Sequence, residues 1–172
     1  LRDVFKPGDR WVRSGDLVRF DEEDYFYFVD RIGDTFRWRG HNVSTEEVAE
    51  VIAQFPGPAS VNVYGVRVAG EEGRAGMVSL TFPDASRFDP GAFHKFAMER
   101  LATYAVPLFV RISHAADLTA TFKLRKVDLQ REGYDPQRTA DPLYVRDAKA
   151  GTYVPVTGEN LQALGILPFA GD

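Results

Sequence analysis

The chain has 172 residues, enough for one domain with an appendage and for a sizeable hydrophobic core. Its 44% hydrophobic and 27% charged residues match an ordinary globular protein, and 21 Lys+Arg against 25 Asp+Glu leave a net charge of −4, which excludes a generally basic nucleic-acid binder. With no cysteine, a disulfide framework, a thiolate metal site and a cysteine nucleophile are all excluded.

Residues 17–20 and 25–29 are rich in aromatic and β-branched residues and flank Asp21-Glu22-Glu23-Asp24, the pattern of a β-hairpin with an acidic turn. Asp30-Arg31-Ile32-Gly33-Asp34 is short and polar, an articulation rather than an element. Thr35 to Arg39 then alternates with period two, which sets Phe36 and Trp38 on one face and Arg37 and Arg39 on the other. Gly40-His41-Asn42 reads as a tight turn. Ser44-Thr45-Glu46-Glu47 is a capping box opening a helix whose apolar stripe is Val48, Val51, Ile52 and Phe55, stopped by Pro56-Gly57-Pro58.

Three strands are expected next. Val61 and Val63 form the first, with Gly65 marking a bulge. Val78, Leu80 and Phe82 form the second, after the charged turn Glu71-Glu72-Gly73-Arg74, and Leu108, Val110 and Ile112 form the third. A helix starting near Asp89-Pro90 lies between the second and third, with Phe93, Phe96, Ala97 and Leu101 on its apolar face. Residues 115–125 show no periodicity, and Leu118 to Lys123 reads as an exposed loop; Val127 to Gln130 is a short helix or strand. From Gly133 the composition shifts, and the tail holds four of the ten prolines. Leu143-Tyr144-Val145 and Tyr153 to Val156 form a small hairpin around Ala150-Gly151, and Thr157 caps a last helix through Leu164. The sum is an α+β fold: a small mixed sheet flanked by helices and preceded by a β-hairpin.

Searched residue by residue, the chain offers little catalytic chemistry. No phosphate-loop, dinucleotide or His-Glu-x-x-His pattern is present, and His41, His94 and His114 lack metal-ligand spacing, so no metal site is expected. What stands out is a set of polar residues and glycines at joints: Asp16, Arg31, Gly33, Gly40 and Lys123.

These positions carry a family resemblance. Ser14-Gly15-Asp16, then Asp30 to Asp34 with Gly40-His41-Asn42-Val43-Ser44-Thr45-Glu46-Glu47-Val48, then Thr119-Ala120-Thr121-Phe122-Lys123, resemble three late motifs of the adenylate-forming enzymes. That superfamily holds acyl-CoA synthetases, peptide-synthetase adenylation domains and luciferase. The run Asp30-Arg31-Ile32-Gly33-Asp34-Thr35-Phe36-Arg37-Trp38, the Phe122-Lys123 pair and the tail Gly133-Tyr134-Asp135-Pro136 through Asp141-Pro142-Leu143-Tyr144 are most similar to its very-long-chain acyl-CoA synthetase and fatty-acid transport protein branch.

The resemblance implies the C-terminal end of such an enzyme. Residues 1–32 would be terminal strands of a large N-terminal adenylation domain, 34–132 a mobile lid domain, and 133–172 an extension packed on the lid. It implies a long- or very-long-chain fatty-acid–CoA ligase, AMP-forming, which uses fatty acid, ATP with Mg²⁺, and CoA; the chain alone would be inactive.

Individual roles follow in the same way. Asp16 would accept from both ribose hydroxyls, which suits an acceptor-only carboxylate. Arg31 would contact ribose or phosphate. Gly33, with Asp34 beside it, sits at the hinge, where many relatives carry Asp or Lys. Lys123 would be the catalytic adenylation residue. Gly40 would lie against the pantetheine arm of CoA, with His41 and Asn42 lining the passage.

The residues by themselves leave plainer readings open: a turn aspartate, a surface arginine, a loop glycine and a solvated lysine. Arg37 and Arg39 are a basic face open to CoA phosphates or to solvent alone. A stand-alone interaction or regulatory domain of the same fold, or the lid of an adenylation enzyme for another carboxylic acid, is the alternative function.

No apolar run approaches the roughly 20 residues that span a bilayer, and no signal peptide opens the chain, so a cytoplasmic location is expected, with any membrane attachment made through upstream regions. The start at Leu1 rather than Met points to a piece of something longer. No nucleic-acid partner is expected, and the unpaired edge of the apolar hairpin leads us to expect dimer or swapped contacts.

Overall fold

A computed structural model describes residues 2–10, 16–31, 35–113 and 126–171. The chain divides into two compact units, Leu1–Asp34 and Thr35–Asp172.

The first unit is built on one antiparallel hairpin, β1 (Asp16–Phe20) and β2 (Phe26–Arg31), with a register irregularity between Leu17 and Val18. The acidic turn works as its sequence suggests. The Asp21 carboxylate accepts from the Glu23 and Tyr25 backbone N–H groups at 3.0 and 3.1 Å and from the Tyr27 hydroxyl at 2.7 Å. That last bond, ahead of the backbone donors, holds the Asp21 carboxyl below its usual value. Phe20, Tyr25 and Phe26 are exposed.

The described residues of the second unit form a ribbon, a five-stranded sheet and four α-helices. β3 (Thr35–Trp38) and β4 (His41–Ser44) form a two-stranded ribbon that runs into α1 (Thr45–Ile52). Here the turn differs from the sequence expectation. The two-residue loop is Arg39-Gly40, with φ of +48° and +85°, while His41 and Asn42 already pair across the ribbon with Trp38 and Arg37. Positive φ at both loop positions marks a turn whose twist matches that of the strands it joins. Ser44 caps α1 through its side-chain oxygen, which accepts from Glu47 N at 3.3 Å.

The large sheet has the order β5 (Ser60–Val66), β6 (Ala75–Thr81), β7 (Phe109–Ser113), β8 (Leu143–Asp147), β9 (Thr152–Pro155). All pairs are antiparallel except β6–β7, which is parallel because α2 (Pro90–Arg100) makes the crossover between them. Asp89 caps α2 on Ala92 N at 2.9 Å, with Pro90 in the first turn, as Asp89-Pro90 announces. α3 (Lys126–Glu132) is a helix, and α4 (Gly158–Ala163), capped by Thr157, closes the chain.

Residues 133–172 therefore extend the same sheet: β8 pairs with β7 and β9 with β8. β6 is buried from Ala75 to Leu80 without a break. The alternation of Val78, Leu80 and Phe82 describes one face of this strand, while Met77 and Ser79 are buried on the other.

One face packs an aromatic cluster in which Phe93 of α2 meets Phe55, Phe88 and Tyr153 at 5.2 to 5.7 Å between centroids. On the other face Phe109 stacks flat on Tyr134 at 4.1 Å, and Tyr134 in turn meets Phe169. The bulge expected at Gly65 is absent: β5 and β6 pair without a shift from Ser60↔Thr81 to Val66↔Ala75. Gly65 is glycine for a different reason. A Cβ there would sit 2.6 Å from Cβ of Phe36, so the bare backbone is what lets the β3–β4 ribbon lie on the sheet.

Candidate functional site

The positions singled out in the sequence fall into three groups. Asp16 and Arg31, 15 residues apart, are register partners that close the open end of the β1–β2 hairpin. Strand pairing thus brings the two residues with an implied nucleotide role to the same rung of one ribbon. Gly33, Asp34 and Lys123 lie outside the described residues. Gly40, His41 and Asn42 are at the tip of the β3–β4 ribbon, all exposed.

The tip is held from two sides. On one, Arg74 N donates to Arg37 O at 2.8 Å and Gly73, at φ +89°, bridges to Trp38. A Cβ on Gly73 would stand 2.2 Å from Arg37 O, so the charged turn after β5 docks backbone to backbone. On the other side the His41 imidazole stacks on Tyr104, with centroids 4.1 Å apart and planes 8° from parallel. Tyr104 belongs to the segment that follows α2, and nothing in the sequence flagged it; only the crossover from α2 to β7 brings it to the ribbon.

Between them lies open space. Nothing stands within 4 Å of a Cβ built on Gly40, and a hollow of about 210 Å³ beside the tip is lined by Asn42, Ser44, Glu47, Arg100 and Tyr104 among others. The glycine is required by its φ of +85°, and the vacancy it leaves is accessible to a thin ligand arm. Phe36 and Trp38 are buried packing residues, whereas Arg37 and Arg39 are exposed. The Arg39 guanidinium lies 5.1 Å from the Trp38 ring centroid and 3.8 Å from a Glu71 carboxylate oxygen.

The segment containing Lys123 is flanked by two well-anchored elements. β7 ends at Ser113, and α3 begins at Lys126, whose ammonium donates to the buried Thr45 hydroxyl at 3.1 Å. Farther along α3, Gln130 Nε2 donates to Gly65 O at 3.3 Å, and Glu132 accepts from Arg111 of β7. Arg111 also donates to Asp141 at 2.7 Å. Burial works against its charge, yet the bonds to Glu132 and Asp141 outweigh that and raise its pKa. No residue pattern signals this network, since its three members come from three separate segments. Among the described residues no group of three His, Asp or Glu side chains gathers to hold a metal ion, and no helix is long and apolar enough to cross a membrane.

No family model matches the chain. It is 49% identical over 153 residues to long-chain fatty acid transport protein 1 of Mus musculus, a match covering 89% of this chain and 24% of that protein. Among solved structures it is similar to a Mycobacterium tuberculosis fatty acyl CoA synthetase, with 30% identity and a TM-score of 0.56 over 74% of this chain and 25% of that one. It is also similar to an O-succinylbenzoate coenzyme A synthetase from Bacillus subtilis in complex with AMP, with 26% identity and a TM-score of 0.58 over 73% and 25% of the two chains. The chain thus spans about a quarter of the length of the curated relatives it matches.

Proposed function

From a chain that is the C-terminal part of an adenylate-forming enzyme, on the fatty acid transport protein branch of the acyl-CoA synthetases, we propose the lid of a long- or very-long-chain fatty-acid–CoA ligase. Residues 1–32 would close the large domain, Gly33 and Asp34 would form the hinge, and the lid from 34 onward would serve two half-reactions in turn. In the first, a fatty carboxylate oxygen attacks the α-phosphorus of ATP and pyrophosphate leaves. Anions meet there, so a cation must stand at the α-phosphate; Lys123, on its long flexible stem, supplies it. In the second, the CoA thiol attacks the acyl carbonyl carbon and AMP leaves, with the thiol arm against Gly40, and His41 and Asn42 lining the passage.

Asp16 would hold the ribose hydroxyls and Arg31 the ribose or phosphate. Mg²⁺ enters with ATP as part of the substrate. The large domain with its phosphate loop and acyl tunnel is the partner this reading requires, so the chain by itself would not turn over. ATP and CoA set the lid on the cytoplasmic side.

The observation that carries the reading is the ribbon tip: a glycine at φ +85° with open space beside it, held by Gly73 on one side and Tyr104 on the other. The test is Lys123→Ala in the intact parent enzyme. Acyl-adenylate formation should fall by at least about a hundredfold, the scale of losing one electrostatic stabiliser. Thioester formation from supplied acyl-adenylate should persist. Equal loss in both half-reactions would remove Lys123 from this role.

A further inference from the structure

A cleft of about 570 Å³ opens beside the ribbon, between the turn after β5 and the C-terminal segment. That size is typical of small-molecule sites. Its floor is apolar, with Leu108, Val154, Leu164 and Ile166, all only partly buried. Two guanidinium groups and one ammonium line it, Arg39, Arg146 and Lys149.

Arg146 is the unusual member. It is half-buried, and its protein partners are two backbone carbonyls, Thr103 O and Val106 O at 3.4 and 3.3 Å, both reached through one nitrogen. Among the described residues no carboxylate pairs with it. A charge withdrawn from water is ordinarily paired. Burial works against the protonated guanidinium and outweighs the opposing influence of Tyr153, with the nearby Arg39 charge adding to it. Arg39 lies over the Trp38 ring, and its one carboxylate contact among the described residues is the exposed one to Glu71 at 3.8 Å. The remaining carboxylate in the cleft, Asp147, is committed: its Oδ1 accepts from Lys149 N and Ala150 N at 2.9 and 3.0 Å.

We infer that this cleft binds an aliphatic carboxylate, its head on Arg39 and Arg146 and its chain along Leu108, Val154, Leu164 and Ile166. The charge count selects a monoanion. Three cations face two carboxylates, an excess of one, which suits a carboxylate better than a phosphate dianion or the several phosphates of a coenzyme. The guanidinium fork matches a carboxylate bidentately, and the apolar floor removes an alkyl chain from water at about 25 cal/mol per Å². The inference does not depend on the role proposed for Lys123.

The experiment is titration of the chain with dodecanoate below its micellar concentration, followed by backbone amide shifts. Saturable shifts at Trp38, Arg146, Leu164 and Ile166 are expected, with affinity falling about tenfold or more in Arg146→Met, the scale of one lost charge-assisted hydrogen bond. Arg39→Asn, a substitution the positive φ tolerates, should weaken binding as well and keeps the test decisive if Arg146→Met does not fold. Equal shifts with dodecyltrimethylammonium, tighter binding of CoA than of dodecanoate at the same amides, or unchanged affinity in Arg39→Asn would overturn the inference.

Discussion

Arg111 carries its charge on the middle strand of the sheet, with 6% of its surface exposed. Its bonds to Glu132 and Asp141 tie α3 and the segment before β8 to β7, the strand that precedes the residues around Lys123 in sequence. Such a triad contributes placement more surely than net stability, because desolvation offsets most of the attraction. Tyr64, on β5, feels the same three charges; burial pushes its hydroxyl up in pKa, with Arg111 pulling the other way, and that hydroxyl has no partner among the described residues.

His94 is the residue whose chemistry shows most directly in solution. It is buried on α2, edge-on to Tyr153, and its Nε2 has no partner among the described residues. Burial first, then Arg146, lowers its pKa, while Asp147 opposes them. The folded state therefore favours neutral imidazole. Its contribution to stability is intact above the unfolded value of about 6.5 and is lost as pH falls below that toward the folded pKa. Urea unfolding of the chain and of His94→Gln at pH 7.5 and 5.5 checks this. The stability difference between them should shrink at the lower pH, and a constant difference would deny the shift.

At the scale of elements, the contact between the ribbon and the sheet rests on two small residues. Gly65 lies under Phe36, and a Cβ on Gly76 would stand 3.1 Å from the tip of the same ring. Gly65→Ala should cost about 1–3 kcal/mol, the usual penalty of overfilling a packed site, and Phe36→Leu in the same chain should not recover it, because the obstructing Cβ and Cγ remain. Denaturant midpoints of the two variants report the outcome.

This contact also shows where the sequence was legible. The periodic stripe of α1, the cap at Ser44, the Asp89-Pro90 start of α2 and the tail hairpin are local signals, and each stands where its residues place it. Gly65 was misread because its cause is Phe36, 29 residues away and on another ribbon. β4 was missed because a two-residue turn needs positive φ at Arg39, a conformation a non-glycine residue seldom adopts, so the reading shifted the turn to Gly40-His41-Asn42. In the site, Gly40, His41 and Asn42 stand out by motif. Tyr104, Arg111 and Arg146 do not, since their roles come from strand order and helix packing, which leave no trace in spacing.

At the scale of the whole molecule, the division after Asp34 makes a direct prediction. Residues 35–172 contain the entire five-stranded sheet, the ribbon and every helix among the described residues, so they should fold alone. Their thermal unfolding should be one cooperative step within a few degrees of the same transition in the 172-residue chain. A broad or absent transition would mean that the first hairpin is needed for the core.

The placement of β8 has a consequence for synthesis. β7 is flanked by β6 on one side and by β8 on the other, and β8 is encoded 30 residues after β7 ends at Ser113. A ribosome adding about 5–20 residues per second therefore leaves one margin of β7 uncovered for roughly 2–7 seconds, counted to Asp147. During that interval a strand of Phe109, Val110 and Ile112 offers its free amides and carbonyls to any neighbouring nascent chain, so a stop codon or ribosome stall between Ser113 and Leu143 would release a product prone to clump rather than one that is merely short.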